Sequence, residues 1–379
     1  MLPVVRIVIA PDSFKGTLSA DDAAAAIAAG ARRALPDADL VLRPVADGGE
    51  GTVAAAVRAG AGLRTARVTG PDGEAVDAAF AVDGTTAVVE LAAAAGLDLL
   101  DRPAPMTATT RGVGELVLAA LDGGARRIVL GLGGSATTDG GAGMLQALGA
   151  RLLDAAGNEV GPGGAGLAGI ARMDLSPLDQ RLRGTRIVVA TDVDNPLTGP
   201  SGAAAVFGPQ KGATAEEVAL LDAALSRYAS VLMHAVGAWV ERRPGAGAAG
   251  GTAAGAMAVL GAEVVSGAAM VCELVGLDAA LEGADLVVTG EGAFDEQSLR
   301  GKAPAEVAGR ARAAGVPCVV LAGSVRVPAE RLAAAGVSAA HALTEVEPDP
   351  DRCRAGAAPL LAELAARAVA AALPPAVAR

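Results

Sequence analysis

The chain has 379 residues, long enough for two domains of roughly 100–200 residues each, and its formal net charge of −11 supplies no basic field to attract a nucleic-acid backbone. Aromatic residues make up only 2% of it, so base-stacking platforms are nearly absent, and the 52% hydrophobic share must build a core from aliphatics and close Ala/Gly packing. Three scattered cysteines, Cys272, Cys318 and Cys353, form no CxxC pair; they fit neither a disulfide framework nor a zinc site and read as small apolar residues of a reducing, cytoplasmic compartment.

The first apolar run, Val4–Ala10, is too short for a signal peptide and meets Asp12 at once, so it reads as a strand. Ser19 with Asp22 gives a capping-box-like helix start, Pro36 a stop, and Leu40–Val45 a second strand. Strand, helix, strand is the signature of a parallel sheet. Residues 62–90 change character: short alternating runs separated by Pro-Asp-Gly and Asp-Gly turns predict antiparallel hairpins. The strand-like RRIVL then enters GLGGSATTDGGAGM, residues 131–144. A long helix is predicted at 215–243, with Thr214 and Glu217 forming a capping box. The uncharged stretch Pro244–Ala262 is dominated by glycine and alanine and reads as a tightly packed or flexible segment, not a membrane span. The C-terminal part returns to the first pattern: a strand at Ala284–Thr289, a helix at 303–314, a strand at Val316–Ala322, a helix from 328, a strand near 337–343 and a closing Ala/Leu helix from 354. The expected fold class is α/β. A discontinuous Rossmann-like parallel-sheet domain, residues 1–60 and 280–379, is interrupted by a mixed α/β domain, residues 61–279, that carries the glycine-rich loops.

Lysine is the rare cation. Of 31 Lys and Arg residues only Lys15, Lys211 and Lys302 are lysines, and each adjoins a glycine, in SFKG, PQKG and RGKAP. A compact ammonium beside a glycine lets both charge and backbone amides approach a phosphate oxygen. Carboxylates cluster in turns: Asp12 before Lys15, Asp47 and Glu50 in ADGGEGT, Asp192 and Asp194 with Asn195 in TDVDNP, and Glu291, Asp295 and Glu296 in TGEGAFDEQS. Acidic residues in such turns are often only turn-formers. Three of these clusters follow predicted strands, however, and ligands of open α/β sheets bind outside the carboxyl ends of strands, so they should converge on one crevice. Lysines, carboxylates and glycine loops together suit phosphoryl transfer, which needs positive charge for the moving phosphoryl group, carboxylates for Mg²⁺ and a base for the hydroxyl. His234 and His341 read as packed or solvated residues.

No G-x-x-x-x-G-K-[ST] occurs, which excludes a Walker-type site. GLGGSA does fit the dinucleotide pattern G-x-G-x-x-A after a strand, with Asp154 about twenty residues on where a ribose-binding acid belongs, so an NAD(P)-dependent dehydrogenase using residues 131–136 is the alternative.

Several blocks resemble the glycerate kinases of the first bacterial type: IAPDSFKGTLSA, PVADGGEGT, GLGGSATTDGGAGMLQALGA, DVDNPLTGPSGAAAVFGPQKGAT, PGAGAAGGTAAGAMAVLGAE and DLVVTGEGAFDEQSLRGKAP. The resemblance covers almost the whole chain. It implies ATP-dependent, Mg²⁺-requiring phosphorylation of D-glycerate, commonly at the 2-hydroxyl, by a Rossmann- or flavodoxin-like domain joined to a second α/β domain. Thr138, Thr191 and Ala293 depart from the residues usual in that family and bear on details of ligand contact, not on the reaction class.

On this reading the catalytic residues are Lys15, Asp47, Asp192, Asp295 and Lys302. Lys15 and Lys302 would contact the transferring phosphoryl or the substrate carboxylate, with Ser13 and Ser298 as nearby donors. Asp47 or Asp192 would take the proton of the glycerate hydroxyl. Glu291 and Asp295 are metal or positioning candidates, and Asp192 with Asp295 is the expected Mg²⁺ pair. Substrate and phosphate contacts are expected from Gly48, Gly49 and Glu50, from Gly133, Gly134, Ser135, Thr137 and Asp139, and from Asn195, Lys211 and Gln297. The glycine stretch would form one wall of an interdomain cleft, with SFKG and RGK supplying charge from the other domain. The partners are then a nucleotide and a small acid, without membrane or nucleic acid, in a monomer or homodimer.

Overall fold

The computed structural model describes residues 4–14 and 16–373, apart from the side chain of Arg300. Lys15 therefore lies outside the described residues. In chain order the strands are β1 (Arg6–Ile9), β2 (Asp39–Leu42), β3 (Gly62–Thr69), β4 (Ala75–Asp83), β5 (Thr86–Glu90), β6 (Arg127–Gly131), β7 (Arg151–Leu153), β8 (Arg172–Asp174), β9 (Arg186–Ala190), β10 (Glu263–Val265), β11 (Leu286–Phe294), β12 (Cys318–Val325) and β13 (Ala339–Ala342). The chain divides into two compact units, residues 1–47 with 267–379 and residues 48–266.

The discontinuous unit is built on a parallel sheet in the order β13-β12-β11-β1-β2. Buried Ile7, Ile9, Leu286, Val288, Val319 and Leu321 make its interior. Such continuous apolar runs are what a sheet covered on both faces requires. The helix Ala20–Ala34 starts where Ser19 Oγ accepts from the Asp22 amide at 3.1 Å, as the local sequence predicts. Its Ala23, Ile27 and Ala31 pack with Leu361, Leu364 and Ala365 of the closing helix Ala357–Ala372. Gly30 makes that crossing possible, because a Cβ there would lie 2.1 Å from the Ala362 carbonyl oxygen. From β1 the chain crosses to β2 on one side, and from β11 to β12 and β13 on the other. The direction of winding thus reverses between β1 and β11.

The inserted unit carries a six-stranded sheet, β10-β9-β6-β5-β4-β3, and a β7-β8 ribbon. Strands β3, β4 and β5 pair antiparallel through residues 62–90, matching the alternation there, while β5, β6, β9 and β10 are parallel. The long helix has both halves of its Thr214/Glu217 capping box but ends at Val236 and not at 243, because Gly237 turns left-handed with φ 70°. The unit begins at 48 and ends at 266, where the sequence reading draws its edges at 61 and 279. The helix Thr52–Arg58 packs on β4 and β5, and the helix Gly267–Leu274 packs on the helix Ala303–Ala313, which explains both shifts. No helix among the described residues is long and apolar enough to cross a membrane.

Candidate active site

In the discontinuous unit a cavity of about 560 Å³ opens at the carboxyl ends of β1, β11 and β12. Its position at the winding reversal is where open α/β sheets bind ligands. The chain after β1 follows β11 as far as the bond from the Asp12 amide to Gly290 O, 2.8 Å, and then turns back so that Phe14 and Leu18 pair. Beyond that point β11 runs on beside β12 alone, and the small residues Gly292, Ala293, Gly323 and Ser324 leave the space open.

Ser13, Glu291, Asp295 and Lys302, expected from the sequence, all line this cavity. Lys302 is the residue before the helix Ala303–Ala313, and its side chain makes no cap bond. Glu291 is buried at 8% exposure. Asp295 organises its own turn: Oδ1 accepts from the amides of Gln297 (2.8 Å) and Ser298 (3.3 Å), while the Asp295 amide donates to Ser298 Oγ at 3.0 Å. Ser298 is fully buried and donates to Ala293 O, so its hydroxyl serves the turn; Gln297 is exposed. Asp47 is not among the lining residues, although its segment stays close to the chain after β1 through the Val45 amide to Pro11 O bond, 2.9 Å.

Sequence reasoning missed Arg326 and Arg354, which add two guanidinium groups to the lining, and the apolar side formed by Phe14, Leu343, Cys353 and Ala357. Arg354 pairs with Asp351, whereas Lys302 and Arg326 have no ion pair among the described residues. An arginine in a chain that uses arginine by default carries no compositional signal, and β12 extends past Ala322 to Val325, which brings Arg326 to the cavity mouth.

In the inserted unit the glycine stretch follows β6 as expected, but its polar groups turn inward. Only Gly133, Gly134 and Ser135 of residues 131–144 reach solvent. Asp139 is fully buried and accepts four hydrogen bonds: from the Thr110 amide and hydroxyl (2.9 Å each), the Gly141 amide (3.0 Å) and the Gly143 amide (3.2 Å). Burial raises its pKa and these donors pull it back down. The Thr110 hydroxyl in turn accepts from Met144 N, so one carboxylate joins the start of the helix Arg111–Asp122 to that of the short helix Ala142–Ala147. Lys211 is 2% exposed, and its Nζ donates to Ser135 Oγ at 2.9 Å and Thr137 O at 2.6 Å. Burial drives its pKa down to about 7, with the Asp139 charge opposing the shift. The Thr137 hydroxyl is likewise buried.

Gly131 and Gly133 are needed for close approach. A Cβ on the first would sit 2.5 Å from Gly48 O, and on the second 2.6 Å from Gly49 Cα. The ADGGEGT turn thus packs on the glycine stretch, and Glu90 at the end of β5 secures it by accepting from the Val53 amide at 2.5 Å. Burial raises the Glu90 pKa, and Glu50 adds to the rise. Beside them, past β9, Asp192 accepts from Ser266 Oγ (2.8 Å) and Asn195 Nδ2 donates to Ser201 O (2.8 Å).

The dehydrogenase alternative gains no support: no helix follows GLGGSA until Ala142, and Asp154 closes its own turn by accepting from the amides of Ala156 and Asn158. Its pKa is lowered by those bonds. Among the described residues no three His, Cys, Asp or Glu side chains gather as for a resident metal. The Glu291 and Asp295 carboxylates of the cavity nevertheless fit Mg²⁺, which is held by one or two carboxylates together with substrate phosphates.

Fold and cavity define a two-domain α/β enzyme with a cation-bearing pocket at the switch point of a parallel sheet. The glycerate kinase family model matches residues 7–373. A Bacillus subtilis (strain 168) glycerate kinase is 52% identical over 326 residues, covering 85% of each chain, and an Escherichia coli (strain K12) glycerate 2-kinase is 51% identical over 326 residues, 85% of this chain and 86% of its own. The crystal structure of a Salmonella typhimurium LT2 protein assigned as a glycerate kinase 2 superposes with a TM-score of 0.81 at 44% identity, covering 97% of this chain and 98% of that one. The chain belongs to the glycerate kinase family.

Proposed function

We propose that the protein transfers the terminal phosphoryl group of ATP to the 2-hydroxyl of D-glycerate, giving 2-phosphoglycerate and ADP. The observation that carries the reading is the switch-point cavity, lined by Lys302, which makes no ion pair among the described residues, and by Glu291 and Asp295, in a chain whose net charge is −11. Family membership supplies the substrate class.

The ammonium of Lys302, with Lys15 as its sequence-motif companion, stabilises charge on the moving phosphoryl group. Ser13 donates a hydrogen bond to the same anion. Glu291 and Asp295 would hold Mg²⁺, which when bound would neutralise phosphate charge. The hydroxyl proton of glycerate passes to Asp47, with Asp192 as the other candidate. Gly133, Gly134 and Ser135, the accessible part of the glycine stretch, offer amide and hydroxyl donors to the substrate acid.

The test is ADP release from Mg-ATP across a panel of small hydroxy acids. Turnover that requires D-glycerate is expected, with ³¹P NMR locating the new phosphate on carbon 2. Absence of glycerate-dependent turnover would sink the reading, and a product bearing phosphate on carbon 3 would correct the regiochemistry. Asp47→Asn and Asp192→Asn separate the two bases, since only loss of the base removes the alkaline plateau of kcat.

A further inference from the structure

Resting on the reading of the chain as an ATP-dependent kinase, we infer that the cavity of the discontinuous unit is the nucleotide site. In this assignment the base lies on the apolar side made by Phe14, Leu343 and Ala357, and the phosphates run toward Arg326 and Lys302.

Size comes first. A volume of about 560 Å³ lies in the range of roughly 300–1,000 Å³ typical of pockets that enclose drug-sized ligands, and far exceeds what a three-carbon acid can fill. The lining is also sorted by chemistry along the sheet. The apolar side is continuous with the core under the helices Ala20–Ala34 and Ala357–Ala372, because Phe14, Leu343, Cys353 and Ala357 belong to that packed cluster. A planar base buries area there without stranding a polar group of the protein.

The cations sit elsewhere. Arg326 leaves the end of β12 and Lys302 precedes the helix that follows β11. Neither has a carboxylate partner among the described residues; exposed arginines such as Arg64 and Arg102 share that condition, but Arg326 and Lys302 both line one cavity. Two unspent cations facing a cavity of an acidic protein call for a multiply charged anion, and a guanidinium offers a phosphate two parallel N–H donors. Glycerate, with a single carboxylate, uses neither the volume nor the charge. In the strand order β13-β12-β11-β1, Leu343 directly follows the edge strand, Arg326 follows the next, Glu291 lies on β11 and Asp295 directly follows it. A nucleotide laid along that order brings its terminal phosphate to Lys302, Glu291 and Asp295.

The experiment compares wild type, Arg326→Ala and Arg326→Lys as full chains. ADP binding is measured by titration calorimetry without glycerate, and the KM values for ATP and for D-glycerate are measured separately. Because Arg326 has no ion pair to lose among the described residues, the Tm of Arg326→Ala should stay within about 2 °C of wild type, as an exposed substitution of that kind does. The Kd for ADP and the KM for ATP should rise at least tenfold, with KM for D-glycerate within twofold and partial recovery in Arg326→Lys. A raised KM for D-glycerate with unchanged ADP affinity would overturn the assignment. So would wild-type turnover of glycerate in which Arg326→Ala matches wild type in every nucleotide parameter. ADP binding that is weakened by Arg326→Ala in a protein that never phosphorylates glycerate would support the nucleotide site and refute the acceptor alone.

Discussion

The two lysines the structure describes stand in opposite circumstances. Lys302, in RGKAP, faces a cavity, makes no ion pair among the described residues and leaves its helix uncapped. Lys211, in PQKG, is sealed at 2% exposure and donates its hydrogen bonds to Ser135 Oγ and Thr137 O. The carboxylates divide the same way: Asp295 is half-buried at the rim of the cavity, whereas Asp139 is fully buried and holds four donors. An identical local signature, a lysine or aspartate among glycines, therefore marks a cavity-lining position in one unit and an internal polar knot in the other. What separates them is desolvation, since a buried charge must spend itself on the protein while a partly solvated one is kept for a ligand.

The largest effect should come from cutting the knot. Asp139→Ala strands the amides of Thr110, Gly141 and Gly143 in the interior and leaves Lys211 without its nearby negative charge. A loss of roughly 3–5 kcal/mol is expected, as for other broken buried charge networks, seen as a Tm drop of order 10 °C. Asp139→Asn should fall only partway, since one oxygen still accepts but the new NH2 faces donors. Asp295→Ala, which removes only a half-buried turn cap, should cost about 1 kcal/mol while abolishing most activity. If Asp295→Ala proved the more destabilising of the two, the division between open and sealed regions would be wrong.

Next in size is Lys302→Met. Loss of a charge that acts on the transferring phosphoryl should lower kcat/KM by about 10²–10³, with Tm nearly unchanged because the side chain makes no bond to its helix. Steady-state kinetics beside a thermal melt check this. A variant within threefold of wild type would remove Lys302 from the chemistry.

These contrasts also mark how far the sequence could be read. Local signals were enough for the Ser19 and Thr214/Glu217 caps and for the alternation at 62–90 that becomes β3, β4 and β5, because each is decided by neighbours within a few residues. Strand, helix, strand order was enough for the parallel sheet and for bringing Glu291 and Asp295 to the cavity, while Asp47 and Glu50, expected at the same crevice, are not among its lining residues. The fate of Lys211 was not legible, because its burial depends on residues 135–139, about 75 positions away in sequence. Gly133 looked like an amide donor, yet it and Gly131 are required for contact with Gly49 and Gly48, a tertiary fact. Arg326 and Phe14 carried no pattern of their own and became visible only where β12 ends and the chain turns after β1.

A subtler effect separates the two lysines by pH. The Lys211 ammonium titrates at about 7 in the folded protein against 10.5 as an ordinary lysine, burial being the main cause. Between those values the unfolded chain holds a proton that the folded chain lacks, so stability rises with pH through that window, by up to about 1.4 kcal/mol per pH unit for one proton. The cost of burial is fully present below pH 7. Tyr228, whose phenol burial and Asp139 push up, and Asp139, whose carboxyl burial raises, face the same knot and work in the opposite sense, Tyr228 only as pH nears its ordinary value of 10.0, above the range of the test. Wild type should therefore show Tm rising between pH 7.5 and 9, and Lys211→Met should flatten that rise. Equal slopes in the two proteins would mean that the Lys211 charge is solvated after all.

The smallest predicted effect falls on Ser135, where the two kinds of region meet. Its hydroxyl accepts from the sealed Lys211, yet with Gly133 and Gly134 it is the part of the glycine stretch that reaches solvent. Ser135→Ala removes one acceptor from the knot, worth about 0.5–1.5 kcal/mol, so Tm should fall by a few degrees at most. If the exposed rim of the stretch also offers a donor to the substrate acid, KM for glycerate should rise two- to fivefold at the same time, with kcat little changed because one neutral hydrogen bond to a part of the substrate that does not react is lost. Measuring both quantities on the same preparation decides the matter. A Tm change without any change in KM would assign Ser135 wholly to the knot, and the glycine stretch would then serve the reaction only by holding β6, the ADGGEGT turn and two helix starts in place.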